Sequence, residues 1–197
     1  MKKILLFLML CIIVSFVSCQ DSEIESTDRE VAKIDELQLD DFVKALDEYG
    51  NVVIPILRNQ ETRSENGIVS FTDEELEILK TECIYLAKEG RRLFLSMGIT
   101  EEELNELYMG ENECDIALAA VICTNMIKQN YSTRAITGND YIDCALLVAG
   151  FDLSDALREG GEAAVKKVLK KVATKLLGPI GAAITVGEYV LCLGGIG

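Results

Sequence analysis

Along much of the chain, apolar residues recur every three or four positions between short polar breaks, which is the pattern of amphipathic helices. Three of these stretches open with a threonine followed three residues later by a glutamate, at residues 27–30, 72–75 and 100–103. In such a capping box the threonine oxygen accepts the N–H of the third helical residue, and the glutamate accepts the N–H of the threonine. The pattern therefore predicts helix starts at these three threonines.

The first of these helices is expected to reach residues 49–51, with a candidate break at residues 37–39. Residues 51–57 (NVVIPIL) are apolar but contain Pro55, which lacks a backbone donor and disfavours helix at the residue before it. We predict an extended connector there, packed on the core. The polar, aperiodic stretch that follows is the candidate linker, assigned to residues 58–70.

Later stretches differ in composition. Residues 114–128 are almost uniformly apolar, which predicts a central buried helix, and a further helix is expected over residues 139–152. Residues 162–177 place apolar side chains on one face and five lysines on the other: Lys166, Lys167, Lys170, Lys171 and Lys175. Gly178 and Pro179 then end one helix and begin the next, so residues 162–193 are predicted to form a helical hairpin in the core.

These elements predict an all-α fold, a compact bundle of six to eight helices. The C-terminal part leaves an alternative open. Residues 176–197 are long enough to span a membrane and superficially resemble a membrane-active bacteriocin peptide, although Glu188, Pro179 and the glycines favour packing in the core. The face that carries the five lysines could likewise bind anionic lipid. We expect instead that it docks on an acidic face within the domain or is simply solvated.

The N-terminus has the organisation of an export signal. Lys2 and Lys3 precede an apolar run over residues 4–17, which is shorter than the roughly 20 residues of a membrane span. Residues 17–19 (Val-Ser-Cys) resemble the lipobox of bacterial lipoproteins, although phenylalanine precedes them where leucine is usual. The resemblance implies that Cys19 is joined to diacylglycerol and becomes the acylated, palmitate-bearing N-terminus. Cleavage after this cysteine is the alternative.

The acidic residues 20–25 resemble the tether of Bacteroidota-type lipoproteins, in which early acidic residues direct the protein to the surface of the outer membrane. A charged spacer on a periplasmic lipoprotein is the alternative. The expected organisation is a signal peptide at residues 1–18, the lipidated cysteine and acidic tether at residues 19–27, and a helical domain at residues 28–197.

The charge of the chain and the residue types it contains argue against several classes of function. The chain has 33 acidic and 19 basic residues and a formal charge of −14, which becomes −16 without Lys2 and Lys3, so nucleic acid is not an expected partner. Histidine, the commonest general base and zinc ligand, is missing, and no nucleophile elbow, P-loop or dinucleotide fingerprint occurs. We expect no enzyme activity, cofactor or metal site.

Five cysteines follow the lipobox, and their odd number leaves at least one thiol free. Cys114 and Cys123 lie on opposite faces of one helix and cannot pair with each other. The candidate disulfides are Cys144 with Cys192 and Cys83 with Cys114, the alternative being that all five are small core residues.

The leading hypothesis is a non-catalytic cell-envelope lipoprotein, similar to small Bacteroidota lipoproteins of unknown function. It is anchored to the membrane through Cys19 and presents a helical domain that binds an unknown protein partner or has a structural role. The alternative is a membrane-active or toxin-like protein that acts through residues 162–197.

Overall fold

The computed structural model describes residues 35–63, 70–108, 110, 113–131, 161–175 and 177–194, together with positions 143, 144, 146, 148, 150, 152, 153, 155 and 156. Six helices are defined: α1 (Glu36–Arg63), α2 (Asp73–Ser96), α3 (Glu101–Leu107), α4 (Asp115–Tyr131), α5 (Gly161–Ala173) and α6 (Gly178–Gly194). No strand occurs in this part of the chain, and the helices pack together, which confirms the predicted all-α bundle. The capping box at residues 27–30 lies outside the described residues.

The other two predicted capping boxes are present at the starts of α2 and α3. Thr72 Oγ1 accepts the N–H of Glu75 at 3.2 Å, and Glu75 Oε2 accepts the N–H of Thr72 at 2.8 Å. The same reciprocal hydrogen bonds join Thr100 and Glu103, at 3.2 and 2.9 Å. Both helices therefore begin where the threonine and glutamate spacing predicts.

Each of these two glutamates also contacts a second helix. Glu75 Oε2 accepts a hydrogen bond from Gln60 Nε2 of α1 at 3.0 Å. Glu103 Oε1 lies 2.7 Å from Lys166 Nζ of α5. The glutamates that cap α2 and α3 thus also connect these helices to α1 and α5.

Helix α1 continues through the stretch that its proline assigns to an extended connector. Pro55 lies within the helix on its exposed side, where water can bond the carbonyl that lacks a helical donor. Val53 and Leu57, one turn apart, are buried, and this packing outweighs the proline penalty of about 3 kcal/mol. The predicted connector at residues 51–57 is therefore wrong. The helix also takes in the first part of the candidate linker, and residues 64–69 lie outside the described part.

Helix α4 is the central buried helix that its composition predicts. Every residue from Cys114 to Thr124 is buried, and α2, α5 and α6 pack around the helix. Helix α2 crosses it closely at Gly90, where an added Cβ would lie 2.8 Å from the Cβ of Ala120. The absence of a side chain at Gly90 therefore permits this close approach.

The last two helices pack against different neighbours. Helix α6 contacts α1, α2 and α4, so the glycine-rich C-terminal segment belongs to the core. Helix α5 packs on α4 and contacts α3. The two helices are consecutive, and each buries apolar side chains against other helices of the bundle; the helical hairpin expected for residues 162–193 stays a prediction.

Candidate functional site

The predicted lipid-attachment residue, Cys19, lies outside the described residues, as do the signal peptide and the tether. The other candidate features fall within the described part of the chain. They are the lysine face of α5 and the five remaining cysteines, and the fold adds a buried carboxyl group and a surface groove.

The lysine face of α5 is anchored to α3 through Lys166. Its Nζ lies 2.7 Å from Glu103 Oε1 of α3 and 2.7 Å from Glu162 Oε1, one turn earlier in α5. The hydrogen bond from Lys166 lowers the pKa of Glu103, and the two glutamates raise the pKa of Lys166. More than a third of the Lys166 and Glu103 side chains is exposed, so water screens the attraction and limits its contribution to stability.

Other lysines of this face reach the segment that precedes α5. Lys171 Nζ donates to the backbone carbonyl of Asp152, and Lys175 Nζ lies 3.4 Å from where a Cβ on Gly150 would be. Lys170 and Lys175 are exposed, and Lys171 is half-buried. These contacts support docking within the domain over a lipid-binding face. None of the described helices combines the length and the apolarity needed to cross a membrane.

Cys144 and Cys192 are joined by a disulfide, with their Cα atoms 5.8 Å apart. This is the first of the two pairs that the sequence proposes. The bond ties the helical turn around residue 144 to the C-terminal part of α6 across a sequence separation of 48 residues. A cross-link over a loop of this length strongly restricts the unfolded chain.

Cys83 and Cys114, the second proposed pair, are free buried thiols in the structure, as is Cys123. The Cys83 thiol donates to the backbone carbonyl of Cys114 at 3.8 Å instead of being bonded to its sulfur. Cys83 lies in α2 and Cys114 directly precedes α4, so the fold brings together two cysteines that are 31 residues apart.

The three free thiols differ in their surroundings and therefore in the direction in which their pKa values are shifted. The neighbouring Cys83 thiol lowers the pKa of Cys114, and the charge of Lys80 acts in the same direction, against the opposing effects of burial and of the Asp115 and Glu113 carboxylates. The neighbouring Cys114 side chain raises the pKa of Cys83, and burial adds to the rise. Burial alone raises the pKa of Cys123. Cys114 is therefore the most easily ionised of the three free thiols.

Asp115, the first residue of α4, is a buried carboxyl group that the sequence pattern did not reveal. Its Oδ2 accepts the N–H of Leu177, between α5 and α6, at 3.3 Å, whereas its buried Oδ1 has no hydrogen-bond partner among the described residues. Burial raises the pKa of Asp115 to about 6, against the lowering effect of the Leu177 hydrogen bond. The one signal in the sequence is an acidic residue opening an otherwise apolar stretch.

A groove of about 600 Å³ lies between α1 and the end of α6. Its apolar wall consists of Leu46, Ile54, Pro55 and Val190. Asp47 and Arg58 also line it, and their separation along α1 is about 16 Å at 1.5 Å per residue. Its volume is in the range of small-ligand pockets. The sequence did not indicate this groove because α1 was expected to end near residue 50.

Within the described ranges, no group of three or more histidine, cysteine, aspartate or glutamate side chains is placed to hold a metal ion. Comparison of the chain with protein-family models, with curated proteins and with solved structures finds no match.

Proposed function

We propose that this chain is a non-catalytic lipoprotein of the bacterial cell envelope, anchored in the membrane by acyl chains on Cys19. The observation that carries the proposal is the order of residues at the N-terminus: two lysines, an apolar run, Val-Ser-Cys and then an acidic stretch. A cysteine supplies the soft sulfur nucleophile that a thioether to diacylglycerol requires. Two or three acyl chains, at about 0.8 kcal/mol per buried CH₂ group, make a durable anchor, whereas one does not.

The disulfide between Cys144 and Cys192 is independent support for export, because disulfides persist in oxidising compartments and are rare in the cytosol. The helical domain is then presented outside the inner membrane, where it binds a protein partner or has a structural role. The resemblance of the acidic residues 20–25 to the tether of Bacteroidota-type lipoproteins implies an outer-membrane protein with the domain facing outward, and a periplasm-facing domain is the equal alternative.

The membrane-active alternative has weaker support. It requires residues 162–197 to leave the bundle and enter a bilayer. Helix α6, however, buries Ala182, Val186 and Tyr189 in the core, and Lys166 is paired with Glu103 and Glu162. Dye release from anionic phospholipid vesicles by the full-length mature protein tests this alternative, and we expect no release.

Palmitate labelling of the producing bacterium tests the anchor. We expect labelled wild-type protein in the membrane fraction and no label on Cys19→Ala. Cys11→Ala is the matched control, since this cysteine lies within the apolar run of the leader, and it should be labelled like the wild type. Mass spectrometry should find the acylated cysteine at the mature N-terminus. A mature chain that begins elsewhere, or that carries a bare thiol at Cys19, rejects the proposal.

Protease added to intact cells then locates the domain. Digestion without cell lysis indicates the outer surface, whereas protection that is lost on permeabilising the outer membrane indicates the periplasmic side. A cytosolic control protein must stay intact in both samples.

A further inference from the structure

We propose that Cys83 and Cys114 form a redox-active dithiol, which exchanges with a disulfide oxidant and closes a second intramolecular disulfide between α2 and the start of α4. The free thiols in the structure represent its reduced form. This inference does not rest on the lipid anchor, since it concerns only residues of the helical domain.

The first support is the placement of the two residues. The Cys83 sulfur lies 3.8 Å from the backbone carbonyl oxygen of Cys114, so the side chain of Cys83 touches the residue that carries the second thiol. Cys83 is fully buried and only 2% of Cys114 is exposed, so both residues lie in the packed core. A disulfide needs its two Cβ atoms within about 4.5 Å of each other, and the contact of the Cys83 sulfur with the Cys114 backbone brings the two residues close enough for a local rearrangement to reach this separation.

The second support is the position of Cys114 at the N-terminus of a long helix. It directly precedes α4, which has 17 residues. The first N–H groups of a helix have no partners within it, and the helix dipole places partial positive charge there. Both effects favour a thiolate, which is the nucleophile in thiol–disulfide exchange. Cys83, in the interior of α2, has no such stabilisation.

These differences assign a role to each sulfur. The Cys114 thiolate attacks one sulfur of the oxidant, forming a mixed disulfide and releasing the other sulfur as a thiolate. The Cys83 thiol then gives up its proton and attacks the Cys114 sulfur, which releases the second half of the oxidant. In total the two cysteines lose two protons and two electrons, and one disulfide of the oxidant becomes two thiols.

Burial controls access to this pair. Because both sulfurs are shielded, exchange in the native protein requires local opening where α2 meets the start of α4, and it should be slow. The third free thiol, Cys123, provides an internal reference, since it is buried within α4, away from the start of that helix, and its pKa is raised by burial.

The test incubates the native full-length mature protein with oxidised glutathione until the reaction is complete. The remaining thiols are then alkylated after denaturation, and the peptides are identified by mass spectrometry. We expect Cys83 and Cys114 to be recovered as one cross-linked peptide pair, with a mass loss of two hydrogens, and Cys123 to be alkylated. A second disulfide that appears only after the chain is unfolded in urea would overturn the proposal.

Two single variants separate the roles of the sulfurs. Cys83→Ser should accumulate a glutathione mixed disulfide on Cys114, because the resolving thiol is missing. Cys114→Ser should leave Cys83 unmodified. Circular dichroism checks that both variants keep their helix content, and the wild-type result remains decisive if either does not fold. Alkylation of all three thiols to the same extent after oxidation, or a bond that includes Cys123, contradicts the proposal.

Discussion

The hydroxyl group of Tyr49 in α1 donates a hydrogen bond of 2.5 Å to the backbone carbonyl of Ala183 in α6, across 134 residues of sequence. Both residues are buried. One turn later in α6, a Cβ on Gly187 would lie 2.5 Å from Cδ1 of Leu57, so the two helices are in very close contact there. A hydrogen bond and the absence of a side chain on the same face of α6 thus fix the first described helix against the last.

Replacing this hydroxyl tests how much the contact contributes. We expect Tyr49→Phe to lower the free energy of unfolding by about 0.5–1.5 kcal/mol, the usual net value of one hydrogen bond. The loss should not be larger, because the Ala183 carbonyl still accepts the backbone N–H of the residue four positions later in α6. Urea denaturation measures the change. Tyr85→Phe, at an exposed position of α2, is the control and should have little effect; equal losses in the two variants would contradict the assignment.

Two helical glycines should respond in opposite ways to alanine. Gly90→Ala is expected to destabilise the fold by about 1–3 kcal/mol, because its Cβ would meet the Cβ of Ala120 at 2.8 Å and α2 would have to move away from α4. At Gly50 the nearest atom to an added Cβ is 3.5 Å away. Gly50→Ala should therefore stabilise the fold by up to about 1 kcal/mol through helix propensity. Thermal and urea denaturation of both variants measure the difference. Stabilisation by both would mean that the α2–α4 contact is looser than described.

Asp115 should make stability depend on pH. Its pKa of about 6 in the folded chain is above the ordinary value of 3.8, so the folded state binds this proton more tightly than the unfolded state does. The stabilisation is present below the ordinary pKa and is lost as pH rises through about 6. Asp115→Asn keeps an acceptor for the Leu177 N–H and removes the buried charge. It should raise the free energy of unfolding at pH 8 by about 1–3 kcal/mol relative to wild type and add little at pH 4.

Urea denaturation between pH 4 and pH 8 measures this effect. Asp47→Asn, at an exposed position on α1, removes the same charge from the surface and corrects for the large acidic excess of the chain. If both variants shift the pH profile alike, or if Asp115→Asn destabilises the protein equally at every pH, the buried carboxyl group is not the cause.

The Cys144–Cys192 disulfide should be a major contributor to stability. Its separation of 48 residues corresponds to about 4 kcal/mol of unfolded-chain entropy. We expect the double variant Cys144→Ser with Cys192→Ser to lose about 2–4 kcal/mol. Unfolding experiments should show that each single variant is about as destabilised as the double, since either substitution breaks the whole bond. A wild-type protein whose stability is unchanged by a reductant that fully cleaves this bond would disprove this contribution.

The sequence predicted the features of the fold that depend on neighbouring residues. Thr72 and Thr100 begin helices because their caps are completed within four residues. The burial of α4 follows from its uniformly apolar composition. Pro55 misled the prediction because its local preference is overridden by packing of the opposite face of α1, which no local pattern reports.

The candidate sites were harder to predict, since they arise where distant segments meet. The number and positions of the cysteines suggested the bond between Cys144 and Cys192. The environment of Asp115 depends on Leu177, 62 residues later, and the groove requires Val190 beside α1. Single-sequence periodicity carries no information about such encounters, so these features became visible only in the folded chain.

Glu75 and Glu103 each cap one helix and contact a second, and this has a consequence for local opening of the fold. Fraying of the first turn of α2 also breaks the contact with Gln60 of α1, whereas fraying of α3 leaves Lys166 paired with Glu162 within α5. Amide protons at the start of α2 and around Gln60 should therefore exchange together more closely than those of α3 and α5 do.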